Sequence, residues 1–215
     1  PTLALLKLAG IPLRSLDRQE EDPIIIAGGP VTYNIEPMAD FLDIVLMGEG
    51  EESLIELLSL MRTMCVIGGA SRKDFLLEAS KIKGAYVPSL YEVHYLADGQ
   101  VEEIVALDGA PALIEKRIIQ DMNGAHFPQK ALVPNIETVH DRVALEVFRA
   151  CPRGCRFCQA GQIYRPVREK SPKLLAKQMR RQLDSSGYHA VGLLSLSTSA
   201  YSQLTELTNQ LFADI

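Results

Sequence analysis

Three cysteines lie within eight residues of this 215-residue chain, and they constrain its structure more than any other feature. Cys151, Cys155 and Cys158 form a C-x3-C-x2-C pattern directly after the apolar run VALEVFRA. A disulfide framework scatters its cysteines along the chain, whereas thiols at such close spacing typically bind a metal or an iron–sulfur cluster. The pattern therefore predicts a metal-binding loop at the carboxyl end of a strand.

Composition and charge exclude several other classes of protein. Hydrophobic residues make up 47% of the chain and charged residues 23%, which is typical of a globular domain rather than a disordered tail. The net charge of −5 argues against a broad nucleic-acid-binding surface. No apolar window is long enough for a membrane helix, and the first residues lack the pattern of a secretion signal. We expect a cytoplasmic protein with no membrane partner.

The first 62 residues have the pattern of α/β structure. TLALLKLA predicts a short helix that stops before Gly10. The runs PIIIAGGP and FLDIVLMGEGEE each predict a buried strand that ends in a glycine turn, and helical spacing of apolar residues follows over 51–62. Such units are typical of a parallel sheet. The acidic residues near these turns are predicted to form a solvated rim: Asp40, Asp43, Glu49, Glu51 and Glu52.

Residues 63–142 are predicted to form a connector. A helix is expected over 73–81, followed by a β-hairpin at about 86–107, because YEVHYLADGQVEEIVAL alternates on both sides of a two-residue Asp98-Gly99 turn. Prolines and weak helical periodicity characterise 108–142.

Residues 143–215 return to α/β structure. VALEVFRA predicts a strand, and Ser171-Pro172 predicts the start of a helix that runs to about 183. A second strand is expected over 190–196 and a second helix over 203–212. These elements form two βα units. A complete (β/α)₈ barrel needs roughly 250 residues, so we expect the chain to be a segment of a longer protein.

The cysteines leave three kinds of site open. Three cysteine ligands on a [4Fe–4S] cluster leave one iron available to a substrate or cofactor, because ordinary carriers use four. One alternative is a non-catalytic electron-transfer or sensor cluster, for which Cys65 is the spare thiol. The other is a zinc-stapled interaction module with a histidine as fourth ligand. His140 and His189 precede their predicted strands, which places them away from the cysteine loop.

The cysteine pattern after a first barrel strand, with Phe157 just before the last cysteine, resembles the radical S-adenosylmethionine (SAM) superfamily. The resemblance implies that Cys151, Cys155 and Cys158 hold a [4Fe–4S] cluster. Its open iron would bind SAM, and reductive cleavage would give a 5′-deoxyadenosyl radical, with a flavodoxin or ferredoxin as reductant. It further implies cofactor contacts from Phe157 near the adenine, Arg165 and Arg168 near an anion, and Ser195 and Ser197 where family members contact the SAM amino group.

The amino-terminal turns resemble the later half of the cobalamin-binding, Rossmann-like domain that precedes many such enzymes. The resemblance implies a pocket for the nucleotide tail of cobalamin, lined by Gly28, Gly29, Gly48, Glu49 and Gly50. The expected organisation is the end of that domain over 1–62, the connector over 63–142 and the first βα units of a partial TIM barrel over 143–215. The expected reaction is hydrogen abstraction, cobalamin-linked methyl transfer or a methylthiolation-like modification, with RNA as a candidate substrate.

Overall fold

The chain contains both helices and strands in a computed structural model that describes residues 1–136 and 138–213. The chain divides into two units, Pro1–Ile118 and Ile119–Ile215, and each has two sheets and its own core among the described residues. The expected α/β class is confirmed. The Rossmann-like and TIM-barrel identities, and the three domain boundaries drawn from sequence, stay predictions.

The first unit is built on a short three-stranded sheet. Its regular elements are α1 (Thr2–Leu8), β1 (Ile26–Gly28), β2 (Ile44–Leu46), α2 (Gly50–Met61), α3 (Arg72–Ala79) and β3 (Ala85–Tyr86). β1 and β2 pair in parallel, as the repeated strand–glycine–helix pattern predicts. β3 pairs antiparallel with β2, and its two residues are too short a run for periodicity to reveal.

The core of this unit lies between the sheet and helices α2 and α3. Ile44 and Val45 are fully buried on the two faces of β2, because successive strand side chains point in opposite directions. Leu57 of α2 and Phe75 of α3 pack against the Ile44 side. Each large apolar side chain buried in this way contributes about 1.5–3 kcal/mol to stability.

A hairpin follows the sheet. β4 (Tyr91–Tyr95) and β5 (Val101–Ala106) pair antiparallel, which confirms the predicted hairpin. The predicted two-residue turn is wrong, because the backbone N–H of Leu96 donates to the Gln100 carbonyl at 2.8 Å and encloses a three-residue loop. The register shifts between His94 and Tyr95, as expected for a longer loop with a bulge.

The expectation of a solvated acidic rim is wrong for Asp43, which is only 3% exposed. Its Oδ2 atom accepts hydrogen bonds from Arg18 Nη1 at 2.8 Å and from the backbone N–H of Ile25 at 2.7 Å, and it forms an ion pair with Arg72 Nη2 at 3.0 Å. The guanidinium of Arg18 also donates to the carbonyls of Leu13 and Phe41. Asp43 therefore holds the charged loop before β1 against the start of β2.

The second unit contains Cys151, Cys155 and Cys158. Its regular elements are β6 (Val143–Glu146), β7 (Phe148–Arg149), α4 (Ala160–Ile163), β8 (Arg168–Glu169), α5 (Pro172–Ser186), β9 (Val191–Leu194) and α6 (Leu204–Ala213). β6 and β9 pair in parallel, with α5 between them in sequence and α6 after them. The predicted order of strand, loop, helix, strand and helix is confirmed.

The predicted VALEVFRA strand is broken at Val147. The backbone N–H of Val147 still donates to Leu194 at 3.0 Å, but its carbonyl accepts from the N–H of Lys170 at 3.0 Å. β7 consequently leaves β9 and pairs antiparallel with β8. The break turns the chain away from the parallel pair immediately before Cys151.

Helix α5 closes one side of this sheet. Ser171 Oγ accepts a hydrogen bond from the N–H of Leu174, Pro172 occupies the first turn, and Gly187 ends the helix with φ 75°. Leu175 and Met179, one turn apart, are buried against β6 and β7. Among the described residues, no helix is both long and apolar enough to cross a membrane.

Candidate functional site

The cysteine loop connects β7 to α4. Cys151 and Cys158 are half-buried and Cys155 is exposed, and all four cysteines of the chain are free thiols. Ala150, which precedes the loop, has φ 75°, a left-handed conformation that costs a non-glycine residue about 1–2 kcal/mol. All three thiols of the pattern thus follow the same strand end.

The three thiols are not gathered around one point. Within residues 1–136 and 138–213, no group of three or more histidine, cysteine or acidic side chains is close enough to hold a metal ion. The loop from Cys151 to Cys158 contains no helix or strand, and the N–H of Cys158 donates to the carbonyl of Cys155 at 3.1 Å. The donor set itself fits an iron–sulfur cluster, because thiolates are its usual ligands. Binding would therefore order the loop around the metal.

A cavity of about 330 Å³ lies beside this loop. It is lined by Glu146, Phe148, Arg149, Ala150, Tyr164, Leu194, Ser195 and Leu196. Glu146 and Leu194 are the last residues of the parallel strands β6 and β9, and Ala150 and Tyr164 stand on either side of the cysteine loop in sequence. Ligand sites of α/β sheets and barrels lie at the carboxyl ends of their strands. The volume falls at the lower end of the range for small-ligand pockets.

A second cavity, of about 610 Å³, is a weaker candidate despite its size. Tyr188, His189 and Val191 line it, which places it at the amino end of β9. Its remaining walls come mainly from α5 and α6, and it lies at the end of the parallel pair opposite to the one that leads into the cysteine loop. The smaller cavity is therefore the better candidate for chemistry.

Two of the residues that line the smaller cavity, Glu146 and Arg149, belong to an ion-pair network. Glu146 Oε1 accepts from Arg149 Nε at 2.7 Å and Oε2 from Arg149 Nη2 at 3.2 Å. Lys170, only 1% exposed, places its Nζ 3.4 Å from Glu146 Oε2 and 5.0 Å from the centre of the Phe127 ring. Burial raises the pKa of Glu146, but the hydrogen bond and charge of Arg149, with Lys170, outweigh it and hold the pKa below its ordinary value. The cavity therefore contains a permanently ionised carboxylate at neutral pH.

This network predicts a pH-dependent effect of Glu146→Gln. At neutral pH we expect the variant to lose about 1–3 kcal/mol of unfolding free energy, because Lys170 would be left buried beside a neutral amide. Since the folded pKa of Glu146 is lowered, its contribution is complete above the ordinary value of 4.5 and is lost as pH falls through the folded value. Urea unfolding of both proteins between about pH 3 and 7 should show the difference shrinking in acid. Glu115→Gln, at an exposed pair with Lys83, is the control; a difference independent of pH would contradict the assignment.

Of the cofactor-binding residues predicted from sequence in the second unit, some line the smaller cavity and others do not. Ser195 lines the cavity and its Oγ lies 2.8 Å from Thr198 Oγ1, whereas Ser197 is not among the lining residues. Phe157 is 92% exposed. Arg165 is exposed on the segment before β8, and Arg168 donates to the carbonyls of Ile119 and Pro166. Arg168 therefore ties together backbone segments of its own unit, and its role as an anion contact stays a prediction.

Glu146, Arg149 and Tyr164 were missed by sequence reasoning. The signal available was the charged residue Glu146 inside an otherwise apolar strand pattern. Its partner could not be identified, because residues three apart on a continuous strand point to opposite faces. The break at Val147 is what brings Glu146 and Arg149 together.

The glycine turns of the first unit meet at one sheet edge, because Gly28 of β1 pairs with Leu46 of β2. Gly29 has φ 96°, and a Cβ on it would meet nothing within 4 Å; the surroundings of Gly50, at the start of α2, are equally open. Gly48 instead packs against the backbone of Arg117, and the N–H of Glu49 donates to the Arg117 carbonyl at 3.0 Å. Arg117 was also missed by sequence reasoning, because nothing in its neighbourhood suggests an extended partner for β2.

Comparisons with known proteins match two stretches of this chain. Over 198 residues, the chain is 28% identical to an uncharacterized protein of Methanocaldococcus jannaschii, a match that covers 92% of this chain and 37% of that protein. The chain therefore spans a little over a third of that relative's length. No solved structure matches the chain. Residues 2–88 match the family described as radical SAM proteins, N-terminal, and this match supports a protein of the radical SAM superfamily. The matched stretch ends well before Cys151.

Proposed function

We propose that this chain is part of a radical SAM enzyme and that Cys151, Cys155 and Cys158 are the ligands of its [4Fe–4S] cluster. The observation that carries the proposal is the position of the three thiols, which share one loop after β7 and are flanked in sequence by two residues of the cavity. The family match over 2–88 supports the same superfamily from a part of the chain that contains none of these cysteines.

The number of ligands would leave one iron of the cluster open, and the resemblance to the radical SAM superfamily supplies the chemistry proposed for that iron. Cys151, Cys155 and Cys158 would hold three irons of a [4Fe–4S] cluster, the fourth iron would be open to SAM, and with one electron from a flavodoxin or ferredoxin the cluster would supply reductive cleavage of SAM to methionine and a 5′-deoxyadenosyl radical. The Cys151–Cys158 loop supplies thiolates only, and no fourth cysteine lies near it in sequence. Arg153 and Arg156, between the cysteines, favour an anionic group at the loop.

The residues of the cavity are suited to holding SAM. The Glu146 carboxylate is held by Arg149 and Lys170, so these residues form a charged wall of the cavity, and the Ser195 hydroxyl provides an acceptor or a donor for a ligand. Leu194 and Leu196, both more than half exposed, offer an apolar wall to a nucleoside. Phe157 is exposed on the loop, so it is available to stack on an adenine ring when the loop orders.

The test is anaerobic reconstitution of the chain with iron and sulfide, followed by low-temperature EPR of the reduced protein with and without SAM. The proposal expects a cluster signal whose g-values shift when SAM is added, because SAM would bind the iron that lacks a cysteine. An unshifted signal would favour an electron carrier. Binding of one tight zinc and no iron would identify a zinc-stapled module and contradict the proposal.

A further inference from the structure

Arg117 forms an additional strand-like contact at the end of β2 in the first unit. Its backbone N–H donates to the Met47 carbonyl at 2.8 Å, and its carbonyl accepts from the N–H of Glu49 at 3.0 Å. These two hydrogen bonds make a parallel bridge between Gly48 and Arg117. We call residues 116–118 the strap, since this stretch of backbone crosses the turn that leads from β2 into α2.

Two glycines are needed for the strap to pass. A Cβ on Gly48 would lie 2.2 Å from the carbonyl oxygen of Arg117 and 2.8 Å from its nitrogen. A Cβ on Gly84 would lie 2.7 Å from the Met47 carbonyl oxygen and 3.0 Å from the Arg117 nitrogen. The contacts are with backbone atoms, which cannot rotate away as a side chain can. The space in front of Gly48 is therefore filled by this chain itself.

The Arg117 side chain fixes the strap to α2. Its Nε and Nη2 atoms lie 2.9 and 2.8 Å from Glu52 Oε2, and Nη2 also lies 2.7 Å from Glu56 Oε1. Glu52 and Glu56 are one helical turn apart, so both carboxylates reach the same guanidinium. Charge-assisted pairs of this geometry are stronger than ordinary hydrogen bonds, and the strap is thus held by backbone and side chain together.

The strap occupies the place where a Rossmann-like sheet ordinarily receives its ligand, outside the carboxyl end of a strand. We infer that the first unit closes its own crevice at β2 with the strap, and that Gly48 and Glu49 serve this closure instead of contacting the nucleotide tail of a cobalamin. The residues present do not fit the nucleotide tail of cobalamin at Gly48, because the backbone of Arg117 fills the space in front of this glycine. The inference concerns the first unit alone, and it holds whether or not the cysteines bind a cluster.

Gly48→Ala and Gly29→Ala form a matched pair for the test. The two glycines have φ 101° and 96°, so alanine is strained similarly at both, but only Gly48 faces the strap. We expect Gly48→Ala to release the strap, so that trypsin cleaves after Lys116 or Arg117 several-fold faster than in Gly29→Ala. Equal cleavage rates would overturn the inference.

A second variant tests the inference even if Gly48→Ala does not fold. Glu52→Gln combined with Glu56→Gln removes both carboxylate partners of Arg117 and leaves the glycine turns intact, and it should also accelerate cleavage after Lys116 or Arg117. Equilibrium dialysis of the unaltered chain against hydroxocobalamin tests the closed crevice directly. We expect no retention, and retention of one equivalent per chain would overturn the inference.

Discussion

Replacing Cys155 by alanine is expected to abolish retention of iron. A [4Fe–4S] cluster held by three cysteines loses a third of its protein ligands in this variant, and no other cysteine lies near the loop in sequence. After anaerobic reconstitution we expect about four irons per chain in the unaltered protein and close to none in Cys155→Ala. Iron and sulfide analysis of the desalted proteins measures the difference. Cys151→Ala and Cys158→Ala should behave in the same way.

Cys65→Ala is the matched control, since it also removes one thiol. Cys65 lies in the first unit, in the helical stretch Arg62–Ile67. Burial and the nearby charge of Glu20 raise the pKa of its thiol, which makes Cys65 a poorer source of thiolate at neutral pH. Iron content should not change in this variant. Loss of iron in Cys65→Ala would instead identify a fourth ligand and favour an electron-carrying cluster.

The parts of the fold that sequence reasoning predicts are those with a local cause. Periodic apolar residues over 51–62 and the Ser171-Pro172 start signal place α2 and α5 close to their observed bounds, because capping and amphipathicity are properties of neighbouring residues. The cysteine loop was located in the same way, from spacing alone.

The parts that could not be predicted depend on contacts distant in sequence. Nothing near Asp43 in sequence indicates that it contacts Arg18, which lies before it in the chain, and Arg72, which lies after it. The same reason hides the strap, because Arg117 is separated from Gly48 by the whole hairpin. In the site, the break at Val147 depends on hydrogen bonds to Leu194 and Lys170, so the pairing of Glu146 with Arg149 is a tertiary effect.

Asp43→Ala is expected to produce the largest loss of stability in the first unit. Removing one partner of a buried ion pair costs about 3–5 kcal/mol, because the remaining charge stays buried without compensation. Here two guanidinium groups converge on one oxygen, and the side chains of Arg18 and Arg72 are 0% and 10% exposed. The backbone N–H of Ile25 loses its acceptor in the same variant. Urea unfolding followed by circular dichroism measures the change in free energy of unfolding.

Asp40→Ala is the control that separates burial from loss of a charge. Asp40 lies three residues away and pairs with Arg14 at 3.4 Å, but both side chains are more than half exposed. Exposed pairs contribute about 0–1 kcal/mol, so this variant should unfold close to the unaltered protein. Similar small losses in both variants would contradict a structural role for the Asp43 network. A large loss confined to Asp43→Ala would instead show that a buried carboxylate anchors the loop before β1, because this change, unlike the one at Asp40, leaves the shielded side chains of Arg18 and Arg72 without a carboxylate partner.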